Sequence, residues 1–312
     1  MPRLRPASPT RVMRSSDSAT VLAPAKINLF LHVGAPDAEG YHPLASLVAF
    51  ADVGDRVTVE PAGRLSLSVT GPFGDGLAGP DNLILRALRA FGEATGTGEP
   101  PLKVTLDKRL PVAAGLGGGS SDAGAALKLA RAVLKLDIEE TGLEAVAGQI
   151  GADGPMCLRA RSAWAEGRGD VLTEAPDLPP LPAVLFNPGA PSSTGAVYRA
   201  YDDGPINGAD RPAPPADWSV AAVIDWLAAQ RNDLEAPALA LTPVIGQALA
   251  AMAGAPGVDL ARMSGSGATV FGLCRTVEAS EAAARALGAA WPQAWVRATR
   301  LGGGSPPNDH AL

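Results

Sequence analysis

Cysteine is nearly absent. Cys157 and Cys274 are the only two in 312 residues, too few for a disulfide framework, and each stands in an apolar, strand-like stretch that reads as a buried, inert thiol. Histidine is as scarce: His32, His42 and His310 form no ligand-spaced pair, which argues against a metal hydrolase. A Ser-His-Asp hydrolase is unsupported because no G-x-S-x-G elbow occurs. A net charge of −6 leaves no basic field for nucleic acid. No apolar run reaches the roughly 18 to 20 residues that cross a bilayer, so no membrane partner is expected. No internal repeat is evident either. The expectation is a soluble chain of a reducing compartment, the cytoplasm, acting as monomer or homodimer. With 46% hydrophobic and 19% charged residues it can bury the cores of two domains.

The ends are set apart by composition. Arg3, Arg5, Arg11 and Arg14 among serines and prolines resemble a transit peptide, but Pro2, Pro6 and Pro9 would break its helix. Residues 1–20 are expected to be a disordered extension, with Met13 as an alternative start, and residues 302–312 a disordered tail. Between them the pattern is α+β. Lys26 to Val33 alternates as a strand, and so do Arg56 to Glu60 and Arg64 to Thr70, which Pro61-Ala62-Gly63 would join as a hairpin. A helix is expected from Asp81-Asn82 to about Phe91, a strand over Leu102 to Leu106, and a helix opened by a capping box at Thr141 and Glu144. Pro176, Pro179, Pro180 and Pro182 mark a boundary near residue 172. Beyond it come a strand at Ala183 to Phe186, alanine-rich helices, a glycine turn within Leu260 to Leu273, a helix from Glu278 to Ala289 and a strand from Trp295 to Leu301.

The most informative stretch is Pro111-Val112-Ala113-Ala114-Gly115-Leu116-Gly117-Gly118-Gly119-Ser120-Ser121-Asp122. So many glycines would cost a packed element too much backbone entropy. The stretch follows a strand and enters a helix marked by Ala123, Leu127, Ala130 and Leu134, for which Ser120 or Ser121 suits the N-cap. Bare N–H groups at a helix N-terminus cradle an anion, most often phosphate. No Lys-Ser/Thr pair follows the last glycine, which excludes a P-loop. The next helix, where a second strand should come, disfavours a dinucleotide fold. A flexible linker fits poorly between two regular elements.

This loop resembles the phosphate loop of the galactokinase, homoserine kinase, mevalonate kinase and phosphomevalonate kinase (GHMP) superfamily. Ala23-Pro24-Ala25-Lys26-Ile27-Asn28-Leu29 is similar to its first motif and Met263-Ser264-Gly265-Ser266-Gly267-Ala268-Thr269-Val270-Phe271 to its third. Gly40-Tyr41-His42, Asp107 to Pro111, Ile150 to Pro155, Ala165-Glu166-Gly167 and Arg231-Asn232-Asp233-Leu234-Glu235 narrow the resemblance to one branch, over about residues 20 to 301. Members of that branch use ATP to phosphorylate the 2-hydroxyl of a cytidine-diphosphate-linked methylerythritol, in the non-mevalonate route to isoprenoid precursors. The branch usually carries an aliphatic residue where Gly154 stands, and the extra backbone freedom there could loosen the aim of Asp153. The resemblance implies an ATP-binding domain at 21–172 and a ferredoxin-like substrate domain at 173–301. Mevalonate or homoserine as acceptor, and an ATP-binding protein without catalysis, are the alternatives.

Phosphoryl transfer to an alcohol needs a phosphate cradle, charge neutralisation and a proton acceptor. Asp153, bent out between Ala152 and Gly154-Pro155, is the candidate base, where a plain turn aspartate is the bland alternative. Lys26, with apolar neighbours, suits a partly buried ammonium, and the resemblance places it beside that carboxylate. For ATP, N–H groups from Gly115 to Ser121 would hold phosphates, within a site formed by the loop from Pro111 onward, with Asn82 and Lys108 as further nucleotide contacts. Ser120 or Ser121 would reach Mg²⁺. The resemblance assigns Tyr41 and His42 to cytosine, with Tyr198 a second stacking face and Asn28 and Thr194 further polar contacts. Gly265-Ser266-Gly267 offers a second small nest, closing on the substrate's phosphates or on the loop.

Overall fold

The computed structural model describes residues 18–175 and 177–303. The extension expected at 1–20 therefore lies outside the described residues up to 17, and the tail does so from 304; where the two meet, strand β1 (Ala19–Val33) already runs from Ala19. Lys26 is thus in the middle of a long strand and not at its start. Asn28, Phe30 and His32, which alternate with Ile27, Leu29 and Leu31, are buried as they are, because both faces of β1 are covered.

Strand β2 (Leu44–Pro61) pairs antiparallel with β1 from Leu44 to Val59, with two register shifts. The expected hairpin after it does not form. Strand β3 (Ser66–Thr70) pairs parallel with β4 (Leu102–Asp107), and β4 takes the place beside β2. Leu102, Val104 and Leu106 of β4 are buried, whereas no residue of β3 is, so the more apolar strand wins the inner position. Helix α1 (Leu83–Ala94) starts where expected, with Asn82 Oδ1 accepting from Ile84 N at 2.9 Å.

Helix α2 (Gly118–Leu134) follows the glycine loop, but Gly117 is its N-cap and Ser120 and Ser121 sit within its first turn. Helix α3 (Glu140–Ile150) begins ahead of the Thr141 box, which does not form; Glu140 suits the positive end of the helix and pairs with Arg131 at 3.1 Å. Cys157 lies in helix α4 (Gly154–Arg159), correcting its strand-like reading, while Cys274 ends a strand as expected; both are buried. The hairpin β5 (Ala163–Gly167) and β6 (Val171–Glu174) joins β2 through β5. Strand β6 straddles the expected boundary at 172/173 and goes with the N-terminal half.

The C-terminal half runs β7 (Leu181–Asn187), α5 (Thr194–Asp202), α6 (Val220–Ala228), α7 (Glu235–Leu241), α8 (Val244–Ala253), β8 (Val258–Met263), β9 (Val270–Cys274), α9 (Val277–Ala290) and β10 (Trp295–Leu301). Its sheet order β10-β7-β9-β8, antiparallel throughout, is the ferredoxin-like arrangement expected. Leu301 pairs with Ala51, which makes one ten-stranded sheet of the described strands. One apolar cluster spans both halves, packing Ile27, Leu29 and Phe30 with Leu185, Phe271 and Trp295.

Candidate active site

At a register shift just before Lys26, residues 51–53 of β2 stand opposite the single residue Ala25 of β1, and such irregularities re-aim side chains beside active sites. Lys26 Nζ donates to Asp153 Oδ2 at 3.0 Å, across 127 residues of sequence. Burial works against the ammonium, but the charge and hydrogen bond of Asp153 outweigh it and leave the lysine pKa above its ordinary value. Asp153 is the N-cap residue of α4, yet its side chain makes no cap bond, so the carboxylate is spent on Lys26 and on a cavity that both residues line. Gly154, the next residue, is closely packed. A Cβ there would lie 2.0 Å from the carbonyl oxygen of Ala147, so glycine is what lets α4 close onto α3.

The cavity has a volume of about 930 Å³, and the glycine loop lines it. Gly115 and Gly117 hold positive φ of 73° and 61°, and Ala113 does so at 52°, a strained state for a residue with a side chain. The first turn of α2 carries no side-chain cap, which leaves its N–H groups for an anion. Lys26 N donates to Leu116 O at 2.8 Å and ties the loop to β1. Pro111 to Ser120 line the cavity, as does Asn82. Ser121 is buried, and its Oγ has no hydrogen-bond partner among the described residues. Ser120 is part of the cavity wall and Ser121 is not.

Lys108 is buried, donating to Asp55 Oδ2 at 2.6 Å and Asp122 Oδ2 at 2.7 Å. One ammonium cannot neutralise two carboxylates. Burial, opposed by Lys108 and reinforced by Asp55, pushes Asp122 up to about 8, so it holds its proton at neutral pH. Asp55 Oδ1 accepts from Arg109 N and Leu110 N at 2.6 and 2.8 Å, fixing the approach to the loop.

Asn28, Thr194 and Tyr198 also line the cavity. Asn28 Nδ2 donates to Ser46 Oγ at 2.8 Å, and Thr194 Oγ1 lies 2.9 Å from Ser266 Oγ. Burial raises the Tyr198 phenol to about 12. His42 stacks tilted on Tyr198, ring centres 4.9 Å apart, and its Nε2 lies 2.6 Å from Asp202 Oδ1. Tyr41 is 55% exposed, with the Arg168 guanidinium 4.0 Å above its ring. Neither Tyr41 nor His42 is part of the cavity wall itself; His42 reaches it through Tyr198. The Gly265-Ser266-Gly267 nest closes on the loop: Ser264 Oγ donates to Gly115 O at 3.1 Å. Asp55 and Asp202 belong to no motif and gave no signal in the sequence. Asp122 and Ser264 stand inside quoted motifs, where only their neighbours had drawn attention.

Residues 82–160 match the model for the GHMP kinases N terminal domain and residues 220–293 that for the GHMP kinases C terminal. The 4-diphosphocytidyl-2-C-methyl-D-erythritol kinase of Caulobacter vibrioides is 55% identical over 286 residues, covering 90% of this chain and 99% of that protein. A crystal structure of 4-(cytidine 5'-diphospho)-2C-methyl-D-erythritol kinase superposes with a TM-score of 0.74 at 38% identity, over 92% of this chain and all of that one. Homoserine kinase from Cytophaga hutchinsonii shares the fold, with a TM-score of 0.68 at 16% identity, over 95% of this chain and 99% of that one. The chain belongs to the 4-diphosphocytidyl-2-C-methyl-D-erythritol kinase family of the GHMP kinases.

Proposed function

We infer that this chain transfers the terminal phosphoryl group of ATP to the 2-hydroxyl of 4-diphosphocytidyl-2-C-methyl-D-erythritol, a step toward isoprenoid precursors by the non-mevalonate route. The observation that carries the reading is the Lys26–Asp153 pair opening on the same cavity as the phosphate loop. With Oδ2 held by Lys26, Asp153 offers Oδ1 to the acceptor hydroxyl, accepts its hydrogen bond and takes its proton as the new P–O bond forms and the bond from the terminal phosphorus to the bridging oxygen breaks, releasing ADP. The Lys26 ammonium fixes the carboxylate through Oδ2 and steadies the attacking oxygen. The N–H groups from Gly115 to Ser121 receive the α- and β-phosphates, and Asn82 and the apolar loop residues before Gly115 border the rest of the nucleotide. Ser120 or Ser121 would hold Mg²⁺, which neutralises polyphosphate charge when bound.

Cytosine recognition falls to His42, Tyr198 and Tyr41. The contact of His42 with cavity-lining Tyr198 supports this, and Asn28 and Thr194 are placed for the acceptor's polar groups. Like the resemblance, the family points to a small-molecule acceptor bearing a cytidine diphosphate.

A coupled ATP assay offering the cytidine acceptor beside mevalonate and homoserine tests the reading. Turnover is expected only with the cytidine acceptor, falling ~10²-fold or more in Asp153→Asn. Turnover with another alcohol would overturn the substrate, and ATP binding without turnover would favour a non-catalytic protein.

A further inference from the structure

One motif has no part in the chemistry so far: Arg231-Asn232-Asp233-Leu234-Glu235. It lies along β1, where Leu31 N donates to Arg231 O and Asp233 N to Leu31 O, both at 2.9 Å. Asp233 Oδ2 accepts from Val33 N at 2.7 Å, and Glu235 Oε2 from Met263 N at 2.9 Å. Between them Asn232 is fully engaged. Its Nδ2 donates to Met263 O and Gly265 O, each at 2.8 Å, and its Oδ1 accepts from Leu234 N at 3.0 Å.

The carbonyls that Asn232 holds begin the glycine turn, residues 264–267, and that turn touches both substrate sites. Toward the nucleotide, Ser264 Oγ donates to Gly115 O at 3.1 Å, and a Cβ on Gly115 would lie 2.6 Å from Ser264 O. Toward the acceptor, Asn28 N donates to Ser264 Oγ at 3.2 Å, and Ser192 Oγ donates to Ser266 O at 2.6 Å.

We propose that Asn232 is a positioning residue: it fastens the 264–267 turn and thereby sets the phosphate loop, at Gly115, against the acceptor-side residues Asn28 and Thr194. The inference rests on the kinase reading above. The side chain needs two donors and one acceptor in a fixed plane, which an asparagine amide has and an aspartate lacks. A turn left without this anchor moves the loop relative to the acceptor, and misplacement of that kind costs rate more than affinity.

The test is a double-mutant cycle on the full chain with Asn232→Ala, Ser264→Ala and the pair, read as kcat for the cytidine acceptor. Each single change is expected to lower kcat roughly 10- to 100-fold, and the double change to lose little beyond the worse single one, because both act through one turn. Losses that multiply would overturn the proposal, as would an Asn232→Ala protein whose Tm falls while kcat holds. If Asn232→Ala yields no folded protein, Ser264→Ala carries the test, and an unchanged kcat there overturns it. Absence of wild-type turnover would instead overturn the kinase reading.

Discussion

At the scale of single residues, the group around Lys108 gives the sharpest expectation. Folding raises the Asp122 carboxyl from 3.8 to about 8, by burial that Lys108 offsets only in part. The folded chain therefore keeps a proton that the unfolded chain releases as pH climbs through that window. Stability from this group is highest below the unfolded value and declines toward pH 8. An asparagine amide at this position has no proton to release, so the Tm of Asp122→Asn should fall less than that of the native protein between about pH 5 and pH 8. Thermal scans across that range check it, and parallel slopes for the two proteins would refute it. Lys26 and Asp153 could be read from the sequence because each sits in a motif whose residue types suit its chemistry. Their 3.0 Å pairing could not, since it joins a strand at a register shift to a helix cap 127 residues away. Asp55 was invisible for a related reason: it meets Lys108 across 53 residues, and nothing near it in sequence marks a buried charge.

At the scale of elements, periodicity located strands and helices well and their partners poorly. The last helix and strand fall close to where alternation and spacing put them, α9 at Val277–Ala290 and β10 at Trp295–Leu301. The expected hairpin failed because local turn residues say nothing about a third strand, and β4, with three buried side chains, displaced β3 from β2. The α3–α4 contact was equally hidden. Gly154 read as slack, while the fold uses its missing side chain for close approach to Ala147. Gly154→Ala should therefore destabilise by about 1–3 kcal/mol, as overpacking does, which lowers Tm by a few degrees per kcal/mol. It should also reduce kcat, because Asp153 is the adjoining residue. Calorimetry with the coupled assay checks both, and an unchanged Tm would mean that α3 yields freely.

At the scale of the whole molecule, the two halves are joined too thoroughly to behave as independent bodies. Leu301 continues the sheet from Ala51, and Thr299 Oγ1 and Arg300 N both donate to Asp52 Oδ1. Arg262, buried with its guanidinium pKa lowered by burial, donates to Leu29 O on β1 and to Leu227 O and Gln230 O at the end of α6. The apolar cluster between these links contains Trp164 and Trp295, with Trp218 and Trp226 packed on it. An interface that is apolar and shared ties the unfolding of one half to that of the other. Urea transitions followed by far-UV circular dichroism and by tryptophan emission should coincide. Arg262→Met keeps an aliphatic stem and deletes three charge-assisted bonds, for an expected loss of about 2–4 kcal/mol. It should shift both probes together to lower urea without separating them. Two resolved transitions, in the native chain or the variant, would show instead that the sheet only abuts at β2 and β10 and that each half folds on its own core.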